Sequence, residues 1–164
     1  MLPEIRKILY STDLSPGSYA ALEQALYIAK QTGAEVYILH LVEKLSDDAR
    51  FTLETYLMDS KNRYQILRER IKHAQQRLEA SQDAFWQRHP DEQDVRAHIK
   101  SIHIAEAYPA EAILRVSQDK DVDLIVMGTH EKGVMHTFLG SVAKNVLGRS
   151  RIPMLVVPLP DASF

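Results

Sequence analysis

Val122 to Met127 is a nearly unbroken apolar run that stops at Gly128. Few architectures absorb such a segment, and the expected one is a parallel strand covered on both faces. A loop follows at once, carrying Gly128, Gly133 and Gly140. Ser141 then opens a segment with Val142, Val146 and Leu147 at helical spacing, closed by Gly148. Strand, glycine loop and helix start in this order aim backbone N–H groups and the positive end of a helix dipole at one spot. Phosphate can be held that way without a basic cluster. The same glycines serve turns and caps equally well, and spacing alone leans to that plainer role.

The rest of the chain alternates in the same sense. Ile5 to Tyr10 reads as a short strand with Ser11-Thr12-Asp13-Leu14-Ser15 as its exit loop, and Ser15 with Pro16 starts a helix. Ala21, Leu22, Ala25, Leu26 and Ala29 recur at helical spacing until Gly33 stops them, and Val36 to Val42 is a second buried strand. From Ser46 to His89 the chain is helical and polar. Tyr64, Leu67, Ile71, Ala74, Leu78, Ser81 and Phe85 form one stripe, expected to cover the sheet rather than to zip a coiled coil. Phe51, Tyr56, Leu57 and Met58 form a separate turn of helix or a flap, and Arg63, Arg68, Arg70 and Lys72 read as solvated charge. Val95 to Ile104 alternates as a half-exposed edge strand, but Ile102 and Ile104 fall out of phase, which predicts a bulge. Pro109 opens a further helix, and Met154 to Val157 is the last strand. One α/β domain with a parallel sheet and helices on both faces is expected.

The residues also carry a resemblance. M-G-T-H, then G-V-x-x-x-x-L-G-S-V-A-x-x-V-L and I-P-x-L-V-V-P, are similar to the C-terminal half of the universal stress protein family. K-I-L-Y-S-T-D-L-S and G-A-E-V-x-I-L-H-L-V resemble its beginning, and P-A-E-A-I-L with D-V-D-L-I-V-M-G its third crossover. Only Lys44 to Asp94 lacks a specific match. The resemblance implies a five-stranded sheet of order 3-2-1-4-5, as in adenine nucleotide alpha hydrolase-like folds, and a homodimer through Met154 to Val157. It also implies an ATP or related adenine nucleotide site. Its residues would be Ser11, Thr12, Asp13, Leu41, Met127, Gly128, His130, Gly133, Gly140, Ser141 and Val142. Asp13, which chain chemistry makes a turn former, is by resemblance an adenine-recognition group, and the two roles are compatible. The crevice is expected between the Asp13 loop and the Gly128 loop, where the connections reverse.

The chain departs from the family's nucleotide-binding pattern. Gly128 and Gly140 are 12 positions apart, where the pattern has 13, and Glu131 stands at the second glycine position. A carboxylate there repels a triphosphate unless Mg²⁺ bridges them or the side chain turns outward. Ala107 replaces a customary glycine on the ribose side.

Other chemistries find little purchase. The chain has 164 residues and no cysteine, which removes disulfides, thiolate zinc sites and thiol nucleophiles and suits a reducing cytoplasm. No stretch reads as a signal-peptide core or a membrane span, and a net charge of −2 gives no basic field for nucleic acid. His40, His98, His103, His130 and His136 show no metal-ligand spacing, and Ser15, Ser18 and Ser141 lack a nucleophile elbow. Three functions therefore stand: a nucleotide-binding stress-response regulator, a dimeric interaction module without nucleotide, and a weak ATPase.

Overall fold

The computed structural model describes residues 1–44, 46–56, 60–129, 139–158 and 160. Among the expected positions, Leu57, Met58, Glu131, His130, Gly133 and His136 lie outside the described residues. Five parallel strands form one sheet in the order β3-β2-β1-β4-β5. They are β1 (Lys7–Thr12), β2 (Glu35–Glu43), β3 (Ile99–Ala107), β4 (Leu124–Gly128) and β5 (Met154–Val157). The helices are α1 (Tyr19–Thr32), α2 (Asp47–Tyr56), α3 (Ser60–Arg88), α4 (Pro109–Asp119) and α5 (Ser141–Arg149).

Strand alternation divides the apolar residues between two cores. Ile8, Tyr10, Val36, Ile38, Leu124 and Val126 point to one face, where α1 and the end of α3 bury them with Leu22, Leu26, Leu78, Phe85 and Trp86. Leu9, Leu39, Ile125 and Met127 point to the other, under Ile113 of α4 and Ala143 and Val146 of α5. Both faces of the central strands are thus covered, which is why their sequences read as continuous apolar runs.

Several boundaries differ from the sequence reading, each for a local reason. Strand one extends through Thr12 because Thr12 pairs with His40 and Ser11 with Met127. Helix α1 begins at Tyr19 rather than at Ser15-Pro16; those residues form a turn closed by Ser18 N–H to the Ser15 carbonyl at 3.0 Å. Gly33 ends the helix in the left-handed region, φ 77°, donating to the Ala29 carbonyl, as its position demands. Gly148 lies inside α5, and Ser150 is the C-cap. Val95–His98 is a 3-10 turn rather than strand, held by Arg96 N–H to Gln93 and Ala97 N–H to Asp94, with Val95 buried in the core. The expected bulge lies in β3: pairing shifts from Val36↔Ile99 to Tyr37↔Ser101, which skips Lys100.

The α3 stripe is buried only toward its C-terminal end. Ala74, Leu78 and Phe85 are buried, Leu67 and Ile71 are half-buried, and Tyr64 is 65% exposed. Arg70 is not simply solvated, since its Nη2 donates to the Glu43 carbonyl at 2.9 Å and its Nη1 is buried without a partner among the described residues.

Candidate functional site

At the carboxyl ends of β2, β1 and β4 the face under α4 and α5 is open, leaving a cleft of about 330 Å³. The topology creates it. Chain leaves β1 for β2 on one side, whereas β4 is reached from the far edge and continues to β5 on the other, so no connection crosses between β1 and β4.

Each of these strands supplies residues from its end. From β1 and its exit come Ser11, Thr12 and Asp13, from β2 Leu41 and Glu43, and from β4 Met127 and Gly128. Opposite them stand Pro109 and Ile113 at the start of α4, and Gly140, Ser141, Val142 and Ala143 at the start of α5.

The β1 exit is a built turn. Thr12 Oγ1 accepts the Leu14 N–H at 3.0 Å and Asp13 Oδ1 accepts the Ser15 N–H at 2.9 Å. Together they hold Leu14 in the left-handed region at φ 59°, a conformation that a leucine resists unaided. Asp13 therefore performs the turn-forming role that its residue type predicts. Two further bonds anchor the turn from below. The buried His40 ring, through Nδ1, lies 2.8 Å from the Thr12 carbonyl; a carbonyl only accepts, so Nδ1 carries the proton. Tyr10 donates its hydroxyl to the Ser18 carbonyl at 2.9 Å. Burial pushes the Tyr10 phenol up to about 12, beyond what hydrogen bonding offsets.

The opposite wall is an uncapped helix start. Gly140 is the N-cap of α5, with extended backbone (φ −63°, ψ 164°), and, having no side chain, it supplies no side-chain cap to the first-turn N–H groups. No acidic residue occupies that first turn. Arg149, in the last turn, fastens α5 to Glu111 of α4 through two bonds of 2.5 and 3.0 Å, which holds the Glu111 carboxyl below the usual carboxylate range. At Gly128 a Cβ would point toward α1, meeting Ala21 Cβ and the Val157 carbonyl at an ordinary 3.9 Å. Gly128 therefore contributes backbone to the cleft, and its side-chain position faces elsewhere.

Ser11, Thr12, Asp13, Leu41, Met127, Gly128, Gly140, Ser141 and Val142 are thus brought to one cavity. His130 and Gly133 lie outside the described residues. Sequence reasoning missed Glu43, Pro109, Ile113, Ala143, Ser15 and Ser18 as lining residues. Glu43 was findable, because period-two alternation from Leu41 puts it on the same face.

The family model of the Universal stress protein family matches residues 4–158. Universal stress protein MJ0531 of Methanocaldococcus jannaschii is 33% identical over 158 residues, which span 94% of this chain and 83% of that protein. Among solved structures, universal stress protein UspA from Lactobacillus plantarum gives a TM-score of 0.65 at 23% identity, covering 95% of this chain and 99% of its own. A universal stress protein in complex with cAMP gives 0.54 at 19% identity, covering 95% and 98%.

Proposed function

The chain belongs to the universal stress protein family, and from that premise we propose that it is a regulator that binds ATP or a related adenine nucleotide in the cleft at the strand ends. The observation that carries this reading is the cavity itself, because nine of the residues expected to form the site line it together. A structural relative is known in complex with cAMP, an adenine nucleotide. Asp13 and the β2 exit at Leu41 would hold the base, Met127 and the Gly128 backbone the other wall, and the N–H groups of Ser141 and Val142 the phosphates.

The donors suit the ligand. Phosphate brings its own negative charge to the helix start, and since no lysine stands among the described lining residues, backbone dipoles would meet that charge there. Mg²⁺ would have to take phosphate oxygens as ligands, since the described residues contain no cluster of three His, Asp or Glu able to hold a metal. No helix among the described residues is long and apolar enough to cross a membrane; the cysteine-free composition suits a reducing cytoplasm.

The same reading extends to assembly. β5 is an edge strand with Met154, Leu155 and Val156 only half-buried, and nothing charges it. A twofold dimer through Met154–Val157 would cover it. Sedimentation should give a dimer mass that Val156→Lys reduces to the monomer; a monomeric wild type rejects the dimer.

The nucleotide reading is tested on freshly purified protein, denatured and examined by absorbance and mass spectrometry of the released small molecules. An adenine nucleotide is expected, and Asp13→Ala should lower the yield. If wild type releases none and ATP added to it gives no heat of binding, the reading is wrong and the nucleotide-free interaction module takes its place.

A further inference from the structure

The cleft is chemically lopsided, and the residue that makes it so is one the site's expected membership did not include. At one end stand the first-turn N–H groups of α5, which no side chain among the described residues caps. At the other, two strands away in the order β2-β1-β4, stands Glu43, the last residue of β2. Glu43 is exposed, and among the described residues no hydrogen bond or ion pair engages its carboxylate. Its carbonyl accepts Arg70 Nη2 at 2.9 Å, which ties the β2 exit to α3 and fixes where the side chain departs. Asp13 differs, because its Oδ1 is already committed to the Ser15 N–H.

We propose that Glu43 is a specificity-determining residue of this cleft, whose carboxylate accepts a hydrogen bond from the exocyclic amine of a bound purine and so selects an amino base over an oxo base. The inference rests on the nucleotide reading above and deepens it. Three arguments carry it. A carboxylate in its ionised form only accepts, so it favours a ligand edge that donates and repels one that presents a carbonyl oxygen. Its lateral distance decides which part of the ligand it meets: neighbouring strands lie about 4.8 Å apart, so β2 stands about 10 Å from β4, beyond the ribose of a nucleotide whose phosphates sit at α5. Its face is also fixed, because Leu39 and Leu41 precede it with the same parity and Leu39 belongs to the core beneath α4 and α5.

The test compares ATP with inosine triphosphate, whose base carries an oxo group in place of the amine and a proton on N1 that adenine lacks. Calorimetry on the full chain measures both affinities for wild type, Glu43→Gln and Glu43→Ala. Wild type should prefer ATP. Both variants should reduce the ratio of ATP to inosine triphosphate affinity by about threefold or more, the scale of a partly solvated charged contact. Glu43→Gln should also gain affinity for inosine triphosphate, because its amide can donate to the oxo group. An unchanged ratio in variants that still bind ATP overturns the role of Glu43 and leaves the nucleotide reading intact. No binding of either nucleotide to wild type overturns both at once.

Discussion

The two faces of the sheet bury the same strands to opposite ends. Under α1 and α3 the face is buried, with Phe85 and Trp86 meeting edge to face at a centroid separation of 5.1 Å and the Phe85 ring stacked on His89 at 4.3 Å. Under α4 and α5 the helices are shorter, 11 and 9 residues against 14 and 29, and both begin beside the strand ends. A short helix that starts at the mouth of a strand cannot also roof it. One face is covered by the longer helices, whereas the other gives up burial at one end for a cavity that Ser11, Thr12, Asp13 and Glu43 line with polar groups.

The largest expected effect is on the closed face. Phe85→Ala removes a ring that is 3% exposed and should lower unfolding stability by about 3 to 5 kcal/mol. ATP affinity, measured where the variant is still folded, should stay within about twofold of wild type, since the ring is not among the lining residues of the cleft. A matching loss of affinity would mean that the two faces are not separable.

Tyr10→Phe probes the seam between the faces. It deletes the bond to Ser18 and should cost about 1 kcal/mol, the usual net value of such a bond. The sign of its pH dependence is fixed by burial. With the folded phenol raised to about 12 above its ordinary 10, its contribution is complete below pH 10 and is lost as pH climbs through 12. Alkaline denaturation should consequently begin later in Tyr10→Phe, relative to its own neutral-pH stability, and an identical alkaline profile would remove Tyr10 from the account.

The smallest effect belongs to the exposed clamp on the open face. Arg149 lowers the Glu111 carboxyl, so the pair's contribution is present above the unfolded carboxylate range and is lost as pH falls through the lowered value. Arg149→Ala should return Glu111 toward its ordinary titration in a carbon-detected NMR experiment while leaving the melting temperature nearly unchanged.

The same contrast explains what could be read in the chain. The open face was legible because strand ends announce themselves: Ser11-Thr12-Asp13, Gly128 and Gly140-Ser141 are polar or glycine residues abutting apolar runs, and topology had only to gather them. The resemblance supplied strand order, which spacing could not. The closed face was read less well. A seven-position stripe describes a narrow seam, whereas the end of α3 buries a wider arc that includes Gln82 and Trp86, and its beginning leaves Tyr64 in solvent. Val95–His98 misled for a related reason, since a 3-10 turn that buries Val95 can imitate alternation over four residues. Arg70 was invisible because its partner is a carbonyl 27 positions away, and backbone acceptors leave no mark in a sequence.

In the proposed function the open end of the cleft receives phosphate at the start of α5. Gly140→Val addresses it directly, because the extended backbone of Gly140 accepts any residue while a branched side chain would stand over the first-turn N–H groups. Calorimetric titration of ATP into wild type and Gly140→Val should give saturable binding in the first and none in the second, with both proteins equally folded by circular dichroism. Equal binding by the two proteins would contradict the claim.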